Sequence, residues 1–152
     1  MKVLLVEDDE VKGAEVVSFL EDEYPETSVT WTKSFDGALR ELIGDKRADI
    51  MILDMSLPTH EMAAGDLSGA ENFAGRDLLQ QMKFRKLVMP TIVVTMFDRF
   101  GKGASMVSVE EIRDKMASDF PSNFVGLVYY SLAEVGWRSS LKKYIDKVNG
   151  VD

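Results

Sequence analysis

The sequence predicts a doubly wound α/β fold, in which a parallel sheet of five strands carries helices on both faces. Five short runs rich in Val, Ile, Leu and Thr alternate with five segments of helical periodicity along the chain. Several of these runs are apolar at consecutive positions, as expected for strands that are buried on both sides. Strands and helices that alternate in this way are joined by right-handed crossovers into one sheet.

Polar or turn-forming residues bound each predicted strand. The apolar run that begins at Val3 ends at three acids, and the run that begins at Ile50 ends at Asp54. Pro90 precedes a third run of this kind. The five predicted strands are Lys2–Val6, Ser28–Thr32, Asp49–Leu53, Thr91–Thr95 and Phe124–Tyr130.

The helices are predicted from apolar periodicity and from their end signals. Ser108 and Glu111 have the spacing of a capping box, which places a helix start at Val109. The predicted helices are Glu10–Glu23, a short one from Phe35 that ends at Gly44, Gly75–Leu87, Val109–Phe120 and Ala133–Val148. In the first helix, the apolar residues at roughly helical spacing are Val11, Ala14, Val17, Phe19 and Leu20.

Composition indicates a folded protein with one core. The 152 residues are 45% hydrophobic and 29% charged, and we expect a single domain over residues 1–152 with long loops at about 58–74 and 97–107. A net charge of −8 disfavours binding to nucleic acid, and no cysteine is present. The sequence offers neither a signal peptide nor a membrane span, so we expect a cytoplasmic protein.

Acidic residues follow two strands that the predicted fold makes neighbours. Glu7 and Asp8 come after the first strand, and Asp54 comes after the third. Ligand sites in open α/β sheets lie at the carboxyl ends of the strands, so these side chains are expected to converge. Clustered carboxylates repel each other, and Mg²⁺ prefers oxygen ligands. A Mg²⁺ site is therefore predicted, against the alternative of acids that are merely solvated in loops.

The same residues resemble the receiver domain of two-component response regulators. The resemblance rests on the acidic end of the first strand from Val3 to Glu10, on Ile52-Leu53-Asp54-Met55-Ser56-Leu57-Pro58, on Gly75-Arg76-Asp77-Leu78-Leu79 and on Val93-Val94-Thr95. It covers nearly the whole chain in order. It implies a flavodoxin-like strand order, 2-1-3-4-5.

The resemblance also implies roles for individual residues. Asp54 would accept a phosphoryl group from a sensor histidine kinase or phosphotransfer protein, and Thr95 would hydrogen-bond the acyl phosphate. Mg²⁺ would be held by Glu7 and Asp8 after the first strand, by Asp54 and by the backbone carbonyl of Ser56. Such a protein is a signalling receiver and not an enzyme beyond Mg²⁺-dependent self-phosphorylation and autodephosphorylation.

The chain departs from the family at the end of the fifth strand. The family places a lysine there to pair with the phosphoryl oxygens, whereas this chain has Tyr130 at that place, next to Tyr129. A tyrosine carries no positive charge at neutral pH. Lys102, between two glycines, is most simply a solvated loop lysine; the alternative is that the long loop brings Lys102 or Arg99 over the site.

Two functions follow from these patterns. The first is a stand-alone receiver that signals by docking to an output protein, since we expect no output domain after the fifth helix; the expected docking surface includes Tyr129, Tyr130 and Trp137. The second is a phosphorylation-independent pseudo-receiver that acts as a constitutive interaction module. An aspartyl phosphatase is disfavoured because Ser56 stands where its second acid is needed. Homodimerisation stays an open alternative.

Overall fold

A parallel five-stranded sheet forms the centre of the protein, as predicted. The computed structural model describes residues 1–44, 47–55, 74–96, 99–100 and 107–151. In these residues the strands are β1 Lys2–Val6, β2 Ser28–Thr32, β3 Ile50–Leu53, β4 Thr91–Thr95, β5 Arg99–Phe100, β6 Val107–Ser108 and β7 Phe124–Tyr129. The main sheet has the order β2-β1-β3-β4-β7, with every neighbouring pair parallel. Counted among its five strands alone, this is the predicted order 2-1-3-4-5.

Helices cover both faces of this sheet. Within the described residues they are α1 Glu10–Glu23, α2 Phe35–Ile43, α3 Ala74–Phe84, α4 Val109–Asp119 and α5 Gly136–Val148. Two buried clusters divide them: α1 and α5 pack on one face of the sheet, and α2, α3 and α4 pack on the other. The doubly wound architecture is therefore confirmed.

The buried face of α1 differs from the prediction. Val11 is 59% exposed, and Ala14 is exposed as well. The buried residues of this helix are Lys12, Gly13, Val16, Phe19 and Leu20. The helix is thus rotated by about one position relative to the predicted apolar stripe, and a lysine takes a place in its buried face.

Two helix ends and one connection also differ. Helix α3 ends three residues earlier than predicted, close to Lys86, whose φ of 58° is left-handed and cannot continue the helix. Helix α5 begins at Gly136 and not at Ala133. Strands β5 and β6, which are not among the predicted elements, pair in antiparallel fashion at the stretch expected to be a loop.

The sheet brings the ends of β1, β3 and β4 together. Val6 pairs with Leu53, and Leu53 pairs with Val93. Each of these strands leaves the sheet at the same edge, so the residues that follow the paired positions are neighbours.

Among the described residues, no helix is long and apolar enough to cross a membrane.

Candidate functional site

Three carboxylates meet at this edge of the sheet. Glu7, Asp8 and Asp54 each offer one oxygen, and these oxygens lie within 4.8 Å of one another. Glu7 is 2% exposed and Asp54 is 6% exposed, whereas Asp8 is open to solvent. The structure thus brings together the three acids that the sequence singled out, two of them buried and one open to solvent.

Backbone hydrogen bonds fix the positions of the two buried acids. The Asp54 amide donates to the Val6 carbonyl at 2.9 Å, and the Glu7 amide donates to the Thr32 carbonyl at 3.0 Å. The Trp31 indole N–H donates to the carbonyl of Glu7 at 2.8 Å. Both acids therefore continue the hydrogen-bonding ladder of the sheet, which holds their side chains in place.

A buried lysine enters the same pocket from helix α1. Lys12 is 1% exposed, and its ammonium nitrogen lies 2.5 Å from Glu7 Oε1 and 3.2 Å from Asp54 Oδ1. Lys12 is absent from the predicted site because the apolar residue Val11 is the expected inward position of the helix. The spacing of Lys12, Val16 and Phe19 (i, i+4, i+7) is itself that of one helix face and carries the missed signal.

The start of α1 is built to direct Lys12 inwards. Asp9 is the N-cap, and its carboxylate accepts hydrogen bonds from the amides of Val11 and Lys12. Gly13 follows, and a Cβ atom at Gly13 would overlap the ring of Trp31. The absence of a side chain there lets α1 approach β2 closely. The cap and this close approach together place the lysine over the strand ends.

Glycine also permits close packing at the other side of Asp54. A Cβ atom on Gly75 would lie 2.6 Å from the Asp54 carbonyl oxygen and 2.9 Å from Met55 Cα. The Gly75 amide donates to the Met55 carbonyl at 2.9 Å. Helix α3 can therefore begin directly against the backbone that carries Asp54.

Burial and mutual repulsion raise the pKa values of two acids in the site. Burial raises the pKa of Glu7 to about 8; the Lys12 ammonium opposes this shift, and the Asp54 carboxylate adds to it. Burial, followed by the nearby Asp54 carboxyl, raises the pKa of Asp8 to about 6. One lysine is thus too little positive charge for three carboxylates.

Charge and donor chemistry both fit a divalent cation at this site. When all three carboxylates are ionised, their three negative charges and the one positive charge of Lys12 leave a net charge of −2, which one divalent ion would balance. The available donors are carboxylate oxygens, the ligands that Mg²⁺ prefers. Glu7, Asp8 and Asp54 are therefore the described residues that could hold the ion.

Thr95 lies at the end of β4, the strand next to β3, and Tyr130 follows the end of β7, the strand next to β4. Thr95 ends β4 and is fully buried, and its carbonyl accepts a hydrogen bond from the Tyr130 amide at 2.8 Å. The Tyr130 ring is also buried and packs on Trp137 with the ring centroids 5.1 Å apart. Ser56 and Lys102 lie outside the described residues.

The predicted aromatic docking surface is wrong for two of its three residues. Tyr130 and Trp137 are both buried, because the Tyr130 ring packs on the ring of Trp137 in the first turn of α5. Tyr129 is 48% exposed, since side chains alternate along β7. The large apolar side chains that are exposed near it are Leu132 and Val135, in the segment before α5.

Comparison with known proteins identifies the fold. No family model matches the chain. The chain is 27% identical over 150 residues to the Detocs response regulatory protein DtcB of Enterobacter cloacae (strain JD6301). The matched region covers 97% of this chain and 100% of that protein.

Two solved structures are similar in fold at lower sequence identity. One is a response regulator receiver protein from Pseudoalteromonas atlantica, with a TM-score of 0.65, 15% identity and coverage of 99% of this chain and 98% of that one. The other is the Mn²⁺-bound form of response regulator Rcp1, with a TM-score of 0.59, 18% identity and coverage of 98% and 89%.

Proposed function

Because the chain has the fold of response-regulator receiver domains and resembles one response regulatory protein in sequence, we propose that it is a phosphorylated signalling receiver. In this proposal, Asp54 accepts a phosphoryl group in a Mg²⁺-dependent reaction, and the phosphorylated form signals by docking to an output protein. The phosphoryl donor is a sensor histidine kinase or a phosphotransfer protein. The observation that carries the proposal is the position of Asp54 among two further carboxylates and a buried ammonium group.

Asp54 is suited to act as the nucleophile. Its amide is fixed by the Val6 carbonyl, and its buried side chain lies next to the solvent-exposed Asp8. An Asp54 oxygen would form the new bond to phosphorus while the bond from phosphorus to the donor atom breaks. The leaving group would depart with the electron pair of that bond.

Glu7 and Asp8 would hold the cation next to the nucleophile. When bound, a divalent ion would offset the repulsion between the Asp54 carboxylate and the incoming phosphoryl group. Phosphorylation adds negative charge at Asp54, so it would change the electrostatic potential at the neighbouring strand ends. Thr95, which is buried at the end of β4, is the hydroxyl that we propose hydrogen-bonds the acyl phosphate.

A constitutive interaction module is the second candidate. The ion pair between Lys12 and Asp54 favours it, because this contact engages the carboxylate without any phosphoryl group. In that case the acidic site would be a structural ion cluster, and partner binding would not depend on a phosphodonor.

Intact-mass spectrometry separates the two candidates. The protein would be incubated with acetyl phosphate and Mg²⁺ beside an Asp54→Asn control. A gain of one phosphoryl group that is absent from the control, and absent without Mg²⁺, supports the receiver. An unchanged mass, both with acetyl phosphate and with phosphoramidate as donor, supports the constitutive module.

A further inference from the structure

We propose that Lys12 of helix α1 is the cation that pairs with the phosphoryl group on Asp54. This inference rests on the proposed function, because it assigns a role within the same site. The positive charge beside the phosphoryl group would then come from a helix that packs against the sheet, whereas the family places its lysine at the end of the fifth strand. Neither the family resemblance nor the sequence pattern assigned any role to this lysine.

The position of the ammonium group supports the assignment. Its nitrogen lies 3.2 Å from Asp54 Oδ1, which is hydrogen-bonding distance. Phosphorus would be attached either to this oxygen or to the other oxygen of the same carboxylate, so the ammonium group lies next to the phosphoryl group in both cases. Its contact with Glu7, at 2.5 Å, anchors it from the other side. A lysine ammonium has three N–H donors, so it can keep its contact with Glu7 while it donates to a phosphoryl oxygen.

Burial makes Lys12 exceptional among the basic residues that the structure describes. Every other lysine or arginine whose burial the structure describes is partly or fully exposed, whereas Lys12 is 1% exposed. Burying an ammonium group costs several kcal/mol unless it is paired. The same burial excludes water from its electrostatic interactions and thereby strengthens them.

The ammonium group is also held before any phosphoryl group arrives. The Asp9 cap and the close contact of Gly13 with Trp31 fix the first turn of α1, from which Lys12 projects. A donor that is fixed in advance needs little reorganisation when negative charge develops on the transferred group. Formation of the acyl phosphate breaks one bond to phosphorus and forms one to Asp54, and Lys12 keeps its proton throughout.

A purely structural role for Lys12 makes a different prediction. If Lys12 only neutralises Glu7 and Asp54, its loss changes stability and metal affinity but not the affinity for a phosphoryl mimic once Mg²⁺ is bound. If Lys12 contacts the phosphoryl group, the affinity for the mimic falls even with the site saturated in Mg²⁺. The two affinities therefore have to be measured separately.

The experiment uses Lys12→Met, with Lys33→Met as the matched control. Lys33 carries the same charge but pairs with Glu10 on the surface. Mg²⁺ affinity would be measured by tryptophan fluorescence. Affinity for beryllofluoride at saturating Mg²⁺ would be measured by fluorine NMR, and phosphoryl uptake from acetyl phosphate by intact mass.

For Lys12→Met we expect Mg²⁺ affinity to be equal to or higher than that of the wild type, because a competing cation has been removed. Beryllofluoride affinity and the rate of phosphoryl uptake should fall about tenfold to a hundredfold, the loss expected for one charge-assisted hydrogen bond. Lys33→Met should match the wild type in all three measurements.

A second pair of variants covers a failure of Lys12→Met to fold. Glu7→Gln keeps Lys12, and the double variant Glu7→Gln with Lys12→Met removes the ammonium group together with one of its two buried carboxylate partners. The double variant therefore has one buried uncompensated charge fewer than Lys12→Met. Weaker beryllofluoride binding by the double variant than by Glu7→Gln supports the assignment. Equal binding overturns it.

The outcomes also separate this inference from the proposed function. Normal phosphoryl uptake by Lys12→Met overturns the role of Lys12 and leaves Asp54 as the phosphoacceptor. Absence of uptake by the wild type overturns both.

Discussion

The ammonium nitrogen of Lys12 lies 3.2 Å from Asp54 Oδ1, and this contact joins the first turn of helix α1 to the end of strand β3. Both side chains are buried. The pair thus connects two residues that are 42 positions apart in the sequence, at the point where three acids converge. The stability and the chemistry of the site should both depend on this contact.

Loss of Lys12 should destabilise the metal-free protein and make its stability depend more strongly on Mg²⁺. Lys12→Met leaves Glu7 and Asp54 buried without their cation, and breaking a buried ion pair costs about 3–5 kcal/mol. Mg²⁺ should recover much of this loss. Thermal unfolding with and without Mg²⁺ measures both effects.

The control for this prediction is Lys33→Met, which breaks an exposed pair and should cost at most about 1 kcal/mol. A Lys12→Met protein as stable as the wild type in the absence of Mg²⁺ would contradict the role of the buried pair.

Gly75→Ala should both destabilise the protein and impair the site. The added methyl group would lie 2.6 Å from the Asp54 carbonyl oxygen, so α3 or the end of β3 has to move. Overpacking of this kind costs about 1–3 kcal/mol. Urea unfolding and the rate of phosphoryl uptake check the two parts of the prediction.

Gly136 provides the matched comparison, because it also lies at a helix start but has no atom within 4 Å of an added Cβ. Gly136→Ala should be neutral or slightly stabilising. If both alanine variants behave alike, contact with Asp54 is not what requires glycine at position 75.

Much of the fold could be predicted because the strands are marked by apolar runs with clear boundaries. Lys2–Val6, Ser28–Thr32 and Thr91–Thr95 agree with the predicted strands at both ends. Burial of both faces of a parallel sheet requires such runs, whereas the order of the strands was predicted from the resemblance to receiver domains. The convergence of Glu7, Asp8 and Asp54 follows from the same topology.

Lys12 could not be found by hydrophobic pattern alone, because a buried charge has the wrong hydropathy for the face it occupies. Its burial depends on tertiary partners, Glu7 and Asp54, that only the folded chain brings to it. The antiparallel pairing of β5 with β6 was missed for a related reason: each strand has two residues and carries almost no periodicity.

Trp31 should report on metal binding. Its indole N–H donates to the carbonyl of Glu7, so an ion held by the Glu7 side chain should alter its surroundings. We expect Mg²⁺ to change the tryptophan fluorescence of the wild type and of Trp137→Phe, but not of Trp31→Phe. Circular dichroism would establish that both variants are folded. A fluorescence change that disappears in Trp137→Phe would place the responsive group in the α5 core instead.

Asp146 should contribute to stability in a pH-dependent way. Hydrogen bonds from Lys142, at 2.8 Å, and from the Tyr24 hydroxyl, at 2.7 Å, lower the pKa of Asp146 below its ordinary value of 3.8. Since the folded-state pKa is depressed, the stabilisation is present above that ordinary value and is lost as the pH falls through the lower one. Asp146→Asn should cost about 1 kcal/mol at neutral pH.

The check is the difference in stability between Asp146→Asn and the wild type, measured by urea unfolding from neutral pH down to pH values below the ordinary carboxyl range. The difference should shrink in acid. A difference that does not vary with pH would show that the carboxylate charge is not responsible.

The most direct test of the central claim is to locate the phosphoryl group on the chain. Wild-type protein would be treated with acetyl phosphate and Mg²⁺ and then reduced with borohydride, which converts an aspartyl phosphate to homoserine. Peptide mass spectrometry should find homoserine at position 54 and at neither Glu7 nor Asp8. Phosphorylation at another residue, or none at all, would contradict the assignment of Asp54 as the phosphoacceptor.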